Sequence, residues 1–344
     1  MDKDIKAPLV SVIMPVYNAS DYVMEAIDSI IAQTFDNFEF LIIDDASTDK
    51  TVSIIKAYKD PRIKFIEKPL NTGYTDSLNY GLKAAKGEYI ARMDGDDIAM
   101  PERFAKQITF LDSNPDVVLC GTNFSIIGTE KIINLPKENE AIKLGLLRGN
   151  CIAHPSIMIR NHALQQFSIL YDSNREPAED YDLWVRLLKI GKLYNLQEEL
   201  LNYRVHITQV SQKREIQQKQ SALESRLQIL KYLNYTFNDD ECNLLKKIMQ
   251  RNVVVTFDEI EDFFILKQKM LQANSNNFFD FNGFQKYLSE LQNLNFQKYF
   301  VERENFYPIN CFQYFSIRDK YGFKLKFKDE LKIIVKSLIF FKRK

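Results

Sequence analysis

Hydrophobic and polar positions alternate in blocks along the first half of the chain. "LVSVIM" (residues 9–14) is a continuous, β-branched apolar run, the pattern of a strand buried on both faces. After Pro15, the positions Val23, Ile27, Ile30 and Ile31 in "DYVMEAIDSIIAQ" recur at helical spacing, which predicts a helix with Ser20 as its N-cap. "FEFLII" (38–43) predicts a second strand, and "STDKTVSIIKAYK" a second helix capped by Ser47. The alternation continues through "IKFIE" (63–67), a helix over 75–85, "EYIARM" (88–93), a helix in "ERFAKQITFLDSN" and a strand in "VVLCG". Strands alternating with helices imply right-handed βαβ crossovers: an α/β, Rossmann-like fold with a mostly parallel central sheet flanked by helices. From about residue 195 the pattern changes. "REIQQKQSALESRLQILKYL", "DDECNLLKKIMQ" and "FDEIEDFFILKQKMLQ" read as successive helices, so a boundary near 212 is expected, with an α/β domain over 1–212 and a mainly helical region over 213–344.

Composition narrows the partners. Of 344 residues, Lys+Arg and Asp+Glu number 46 each, which gives no global electrostatic case for nucleic acid. The four cysteines are far apart and form no CxxC, which fits a reducing compartment and argues against a zinc site or a disulfide framework. The N-terminal stretch has neither a basic n-region nor an apolar h-region, so no signal peptide is expected. No apolar run approaches the about 20 residues of a membrane-spanning helix, and the expected location is cytoplasmic. Charge is uneven at one end: the last 25 residues hold nine Lys/Arg against two acids. There Leu331, Ile334, Val335, Leu338 and Phe341 can share one helical face. Such a segment is either a core helix with a solvated basic face, or a helix lying peripherally on an anionic membrane surface.

Candidate chemistry gathers at predicted strand ends, where ligands bind in such sheets. "PVYN" (15–18), "DDASTD" (44–49) and "DGDD" (94–97) each follow an apolar strand directly. Carboxylates this close repel, so "DGDD" is either a solvated turn, with Gly95 allowing a tight turn, or a site for Mg2+ or Mn2+. No GxGxxG and no GxxxxGK[ST] is present, so the backbone phosphate cradles of those motifs are missing. Asp180 opens the helical "AEDYDLWVRL" (178–187), either as a general base, with Glu179 and Asp182 competing for the role, or as a first-turn acid on the helix dipole. Trp184, Leu187 and Leu188 read as core, His162 as helix surface, and Gly73 as a turn residue with positive φ. Arg103 in "MPERF" reads as helix surface, with a diphosphate contact as the alternative.

"SVIMPVYNASDYVMEAIDSIIAQTFDNFEFLIIDDASTD" and "NTGYTDSLNYGLKAAKGEYIARMDGDD", followed by "HPSIMIR" (154–160), "AEDYDLWVRL" and "YRVH" (203–206), resemble the family 2 inverting glycosyltransferases of the GT-A fold. The resemblance covers about residues 8–212, with a nucleotide-sugar-binding half over 8–115 and an acceptor half over 116–212. It implies that Pro15 and Tyr17 line a uracil pocket, that Asp45 accepts from the uracil N3–H, and that Asp44 lies beside it. It further implies that Asp94 meets the ribose or the metal, that Asp96 binds Mn2+ or Mg2+ on the diphosphate, and that His206 completes that site. Asp180 becomes the catalytic base, with Glu179 beside it, and His154 either a satisfied core histidine or a group facing the sugars. The implied partners are a UDP-sugar donor carrying a hexose or N-acetylhexosamine, and a glycan or lipid-pyrophosphate-linked saccharide acceptor of surface polysaccharide or O-antigen synthesis. The alternative is a non-catalytic nucleotide-binding scaffold, against which the intact set Asp45, Asp94, Asp96 and Asp180 speaks. No motif is assigned after residue 212.

Overall fold

The first strand, β1 (Val10–Val16), is buried at every position, as is β2 (Phe38–Asp44), because helices cover both faces of the sheet at its centre. The computed structural model describes residues 7–206, 214–250, 252–322 and 324–342. They fall into two compact units, Met1–Arg226 and Leu227–Lys344. The boundary expected near 212 lies outside the described residues.

In the first unit β1 is followed by α1 (Val23–Ile31), β2, α2 (Thr51–Ala57), β3 (Ile63–Glu67), α3 (Tyr74–Ala84) and β4 (Tyr89–Arg92). Then come β5 (Ile98–Ala99), α4 (Arg103–Ser113), β6 (Val117–Ile126), β7 (Ile132–Ile133), α5 (Asn139–Leu146), a 3-10 turn (His154–Ser156), β8 (Met158–Arg160), α6 (Asn161–Gln166), α7 (Glu179–Leu187) and β9 (Lys192–Tyr203). The strand order is β3-β2-β1-β4-β8-β6-β9-β5, with β7 on β6. The first four strands are parallel, in a register that pairs Val16 with Asp44 and Ile13 with Arg92, so β1, β2 and β4 end at one edge. Beyond β4 the sheet is mixed: β8 runs antiparallel to β4 and β6, whereas β9 runs parallel to β6 and antiparallel to β5. Strand β9 is absent from the sequence pattern because Gln197 and Glu198 bulge out between the Thr122–Leu196 and Asn123–Glu199 pairs and break the apolar alternation.

Two expected helix caps are replaced by tertiary bonds. Helix α1 starts after Tyr22, and the Ser20 N–H donates instead to Asp49 Oδ2 at 3.0 Å. Helix α2 starts after Lys50, and the Ser47 hydroxyl accepts the Asn18 N–H at 2.9 Å. The loops after β1 and β2 thus brace each other. Arg103 also departs from expectation, being fully buried rather than on the helix surface. Its Nη2 donates to the carbonyls of Arg92 at 2.6 Å and Ile157 at 3.3 Å, and its Nε donates to Gln107 Oε1 at 3.2 Å. This clip holds the end of β4 to the turn before β8.

The second unit is helical among the described residues. Helix α8 (Glu215–Leu230) contains the division, and α9 (Asp239–Ile248), α10 (Phe257–Ala273), α11 (Phe281–Phe300), α12 (Pro308–Tyr321) and α13 (Phe327–Leu338) follow. Asn238 with Glu241 and Thr256 with Glu259 form capping boxes that start α9 and α10. Stacked aromatic pairs such as Phe279–Phe284, 4.6 Å between ring centres, fill the interior. On α13, Ile333 and Ser337 are buried, whereas Phe327, Leu331, Val335 and Leu338 are exposed. Ile334 is half-buried, and Phe341 lies past the helix end, so it is not on the shared face the sequence predicts. Among the described residues no helix is long and apolar enough to cross a membrane.

Arg103→Met keeps the volume and removes a charged donor from the buried Arg92 carbonyl and one of two donors from the Ile157 carbonyl, which keeps the Arg92 N–H. It is expected to cost about 2–4 kcal/mol of stability, read as a fall in the urea midpoint; an unchanged midpoint would show that the clip contributes nothing.

Candidate active site

The three strand ends deliver their polar clusters to one edge of the sheet. Pro15 lies inside β1 and is buried, whereas Tyr17, just past it, is 51% exposed and open to a ligand. Asp44 is fully buried; its Oδ2 accepts the Ser47 N–H at 3.0 Å and its Oδ1 has no partner. Asp45 is held by three donors: Lys68 Nζ at 2.7 Å and the Thr72 N–H at 3.0 Å on Oδ1, and the Gly73 N–H at 2.9 Å on Oδ2. Gly73 takes φ +99°, as its place in the turn requires.

The carboxylates of "DGDD" meet, with one ligand oxygen from each of Asp94, Asp96 and Asp97 within 4.8 Å of the others. Their surroundings separate them. Asp94 accepts from Arg92 Nη2 at 2.5 Å and from the Tyr74 hydroxyl at 3.4 Å. Asp96 Oδ2 lies 2.8 Å from His206 Nε2. Asp97 is fully buried; its Oδ1 accepts the Arg204 N–H at 2.8 Å and its Oδ2 has no partner. Burial, reinforced by the charges of Asp94 and Asp96, pushes the Asp97 carboxyl well up. Arg204 also donates from Nε to the Asp96 carbonyl and from Nη2 to Glu25, each at 2.8 Å. Asp97 thus acts as a tether: it pins the chain just past β9 and brings His206 to Asp96. Gly95 begins the turn expected of it, over Gly95–Asp96, but without a positive φ. A Cβ there would sit 2.9 Å from Val16 Cγ1, so close approach to β1 is what demands glycine.

Opposite these groups, Glu179 and Asp180 open α7. Asp180 Oδ1 accepts the Tyr181 N–H, and Oδ2 accepts the Asn150 side-chain amide, both at 2.6 Å. Burial pushes the Asp180 carboxyl up to about 6 against the pull of these two donors. Glu179 is buried with no partner for Oε2, and burial followed by the charge of Asp180 takes it to about 8. Asp182, the third acid of the motif, is engaged by Arg186 Nε at 2.7 Å. His154 is buried, its Nε2 lies 2.8 Å from the Tyr171 hydroxyl, and the rings of Tyr74 and Trp184 pack edge-on against it. Burial, followed by the charge of Arg92, holds its pKa well down, so it stands as a neutral group behind the cleft.

Sequence reasoning missed three residues here: Arg92, Asn150 and Arg204. Arg92 carried a signal, since a charged residue inside the apolar "YIARM" must be paired when buried. It is 1% exposed, with Nε and Nη1 unpartnered and its guanidinium 5.3 Å from the Tyr74 ring centre. Asn150 lies on a loop with no pattern of its own, and Arg204 lies within "YRVH", where the resemblance assigns it no role.

Residues 11–171 match the glycosyl transferase family 2 profile. An uncharacterized glycosyltransferase of Haemophilus influenzae is 36% identical over 242 residues, which cover 66% of this chain and 75% of that protein. The chain belongs to glycosyl transferase family 2. Solved structures place its fold among the GT-A glycosyltransferases. S. aureus TarS 1–349, solved in complex with UDP-GlcNAc, superposes with TM-score 0.57 at 17% identity over 84% of this chain and 90% of that one. Mannosyltransferase PcManGT from Pyrobaculum calidifontis, in complex with GDP-Man and Mn2+, gives 0.54 at 16% identity over 85% and 88%.

The family 2 cleft makes the tether testable. Asp97→Asn keeps an acceptor for the Arg204 N–H and is expected to leave stability nearly unchanged, whereas Asp97→Ala should cost about 1–3 kcal/mol in chemical denaturation. Equal losses in both variants would mean that charge, not the hydrogen bond, is what Asp97 provides.

Proposed function

We propose that this glycosyltransferase moves a hexose or N-acetylhexosamine from a UDP-sugar to a saccharide hydroxyl, with inversion at the anomeric carbon. The observation that carries it is the Asp96–His206 pair at the sheet edge, 2.8 Å apart across the chain, with Asp180 of α7 near enough to feel the charge of neighbouring Asp94. Pro15 and Tyr17 border the uracil, Asp45 accepts from its N3–H, and Asp44 supports Asp45. Asp94 meets the ribose or the metal.

A divalent cation fits Asp96 and His206. Carboxylate oxygens suit Mg2+ and Mn2+, and the imidazole nitrogen favours Mn2+ of the two. When bound, such an ion neutralises charge developing on the departing diphosphate. Asp180 takes the proton of the acceptor hydroxyl as its oxygen forms the new bond to the anomeric carbon and the bond to the UDP oxygen breaks. Attack from the face opposite UDP turns an α-linked donor into a β-linked product. Glu179, held protonated at neutral pH by burial, donates to a sugar oxygen. His154 backs the pocket.

The acceptor is a glycan or lipid-pyrophosphate-linked saccharide of a surface polysaccharide or O-antigen, met at the inner face of the cell membrane. The exposed apolar row of α13 supports this. A groove along that helix is lined by Leu331 and Val335 together with three lysines, Lys328, Lys332 and Lys336, and one acid, Asp329, a net basic lining that an anionic lipid surface attracts.

A UDP-release assay over UDP-sugars and GDP-mannose with Mn2+, with and without a synthetic pyrophosphate-lipid acceptor, is expected to show turnover with a UDP-sugar; turnover with GDP-mannose alone would overturn the uridine assignment. Asp180→Asn should abolish transfer while UDP affinity stays within about threefold. Because the base works ionised and its pKa is raised to about 6, kcat/KM should fall as pH drops through that value. Replacing Leu331, Val335 and Leu338 by Asp should abolish cosedimentation with anionic liposomes; retained binding would remove α13 from the membrane contact.

A further inference from the structure

We propose that Asn150 positions the general base, its side-chain amide fixing the orientation of the Asp180 carboxylate as acceptor of the hydroxyl proton. Asn150 sits on the loop between α5 and the 3-10 turn, 30 residues before Asp180 in the chain. Its Nδ2 donates to Asp180 Oδ2 at 2.6 Å. Its Oδ1 accepts the Ile152 N–H at 3.2 Å, which settles which end of the amide faces the carboxylate. The reversed amide would set two acceptors against each other at Asp180 and two donors at Ile152. Oδ1 of Asp180 is taken by the Tyr181 N–H, so one donor on each oxygen leaves the carboxylate no free rotation. Asn150 itself is exposed. The inference rests on Asp180 being the base.

The other groups around Asp180 cannot replace this donor. Glu179 precedes it on α7 and, protonated, donates to the sugar in the proposed reaction, whereas Asp94 past β4 adds negative charge. Arg92 on β4 acts through space on Asp180, and the Tyr171 hydroxyl from the loop after α6 is engaged with His154. A hydrogen bond to the ionised form favours that form, so its removal should raise the pKa of Asp180.

The test uses the full chain labelled with 13C at aspartate carboxyls, the Asp180 resonance being identified by its loss in Asp180→Asn. Asn150→Ala should move the Asp180 titration midpoint up by about one pH unit. With the donor that gives turnover, it should lower kcat about 10- to 100-fold while donor KM stays within about twofold. Asn150→Asp, nearly isosteric, should raise the midpoint further by placing a second carboxylate against the first, and serves if the alanine variant fails to fold. An unmoved midpoint in either folded variant, or a loss seen only in donor KM, would overturn the role of Asn150. Turnover surviving Asp180→Asn would instead overturn the base, whatever the Asn150 variants show.

Discussion

The cleft is built around one buried cation. Burial raises the carboxyls of Asp94, Asp97, Glu179 and Asp180, and Arg92 acts on all four in the opposite sense. A guanidinium cannot give up its charge in such a place, so it draws carboxylates to it. Arg92 satisfies one of its donors on Asp94 and lies against the face of Tyr74. Behind it, Arg103 ties the Arg92 carbonyl to Ile157, so the strand that carries the charge is itself held in place. Moving Arg92 would leave several acids in a poorly solvated space without their shared cation, which electrostatics opposes.

Topology decides which acids share that space. The parallel register of β1, β2 and β4 makes three loops neighbours even though tens of residues separate them. The antiparallel pairing of β5 with β9, Ile98 with Asn202 and Ala99 with Leu201, does the same for the end of β9. Asp97 then converts a register into a fixed position by holding the Arg204 backbone, and His206 follows two residues later at Asp96. Three adjacent acids therefore do three different things: one contacts Arg92, one faces the histidine, and one is structural. Their division of labour lies in their partners.

The helical unit has its own logic. Capping boxes and stacked aromatics define its helices, and the apolar row left exposed on α13 is flanked by lysines.

Much of the α/β fold was legible in the residues, because strand runs and helical stripes are local patterns with periods of two and 3.6. The apolar runs determined the strands β1 to β4, the polar clusters marked their ends, and the motifs from "PVYN" to "YRVH" identified the family. Tertiary structure alone decided what each acid does. Ser20 and Ser47 lost their capping roles to bonds between loops, Gly95 proved to serve a close approach to Val16, and the bulged β9 was invisible. Asn150 and Arg204 carry no periodicity, since their partners lie 30 and 107 residues away in the chain. Local pattern reports which face of an element is apolar; burial, charge and hydrogen-bond partners depend on distances that exist only once the sheet has closed on them.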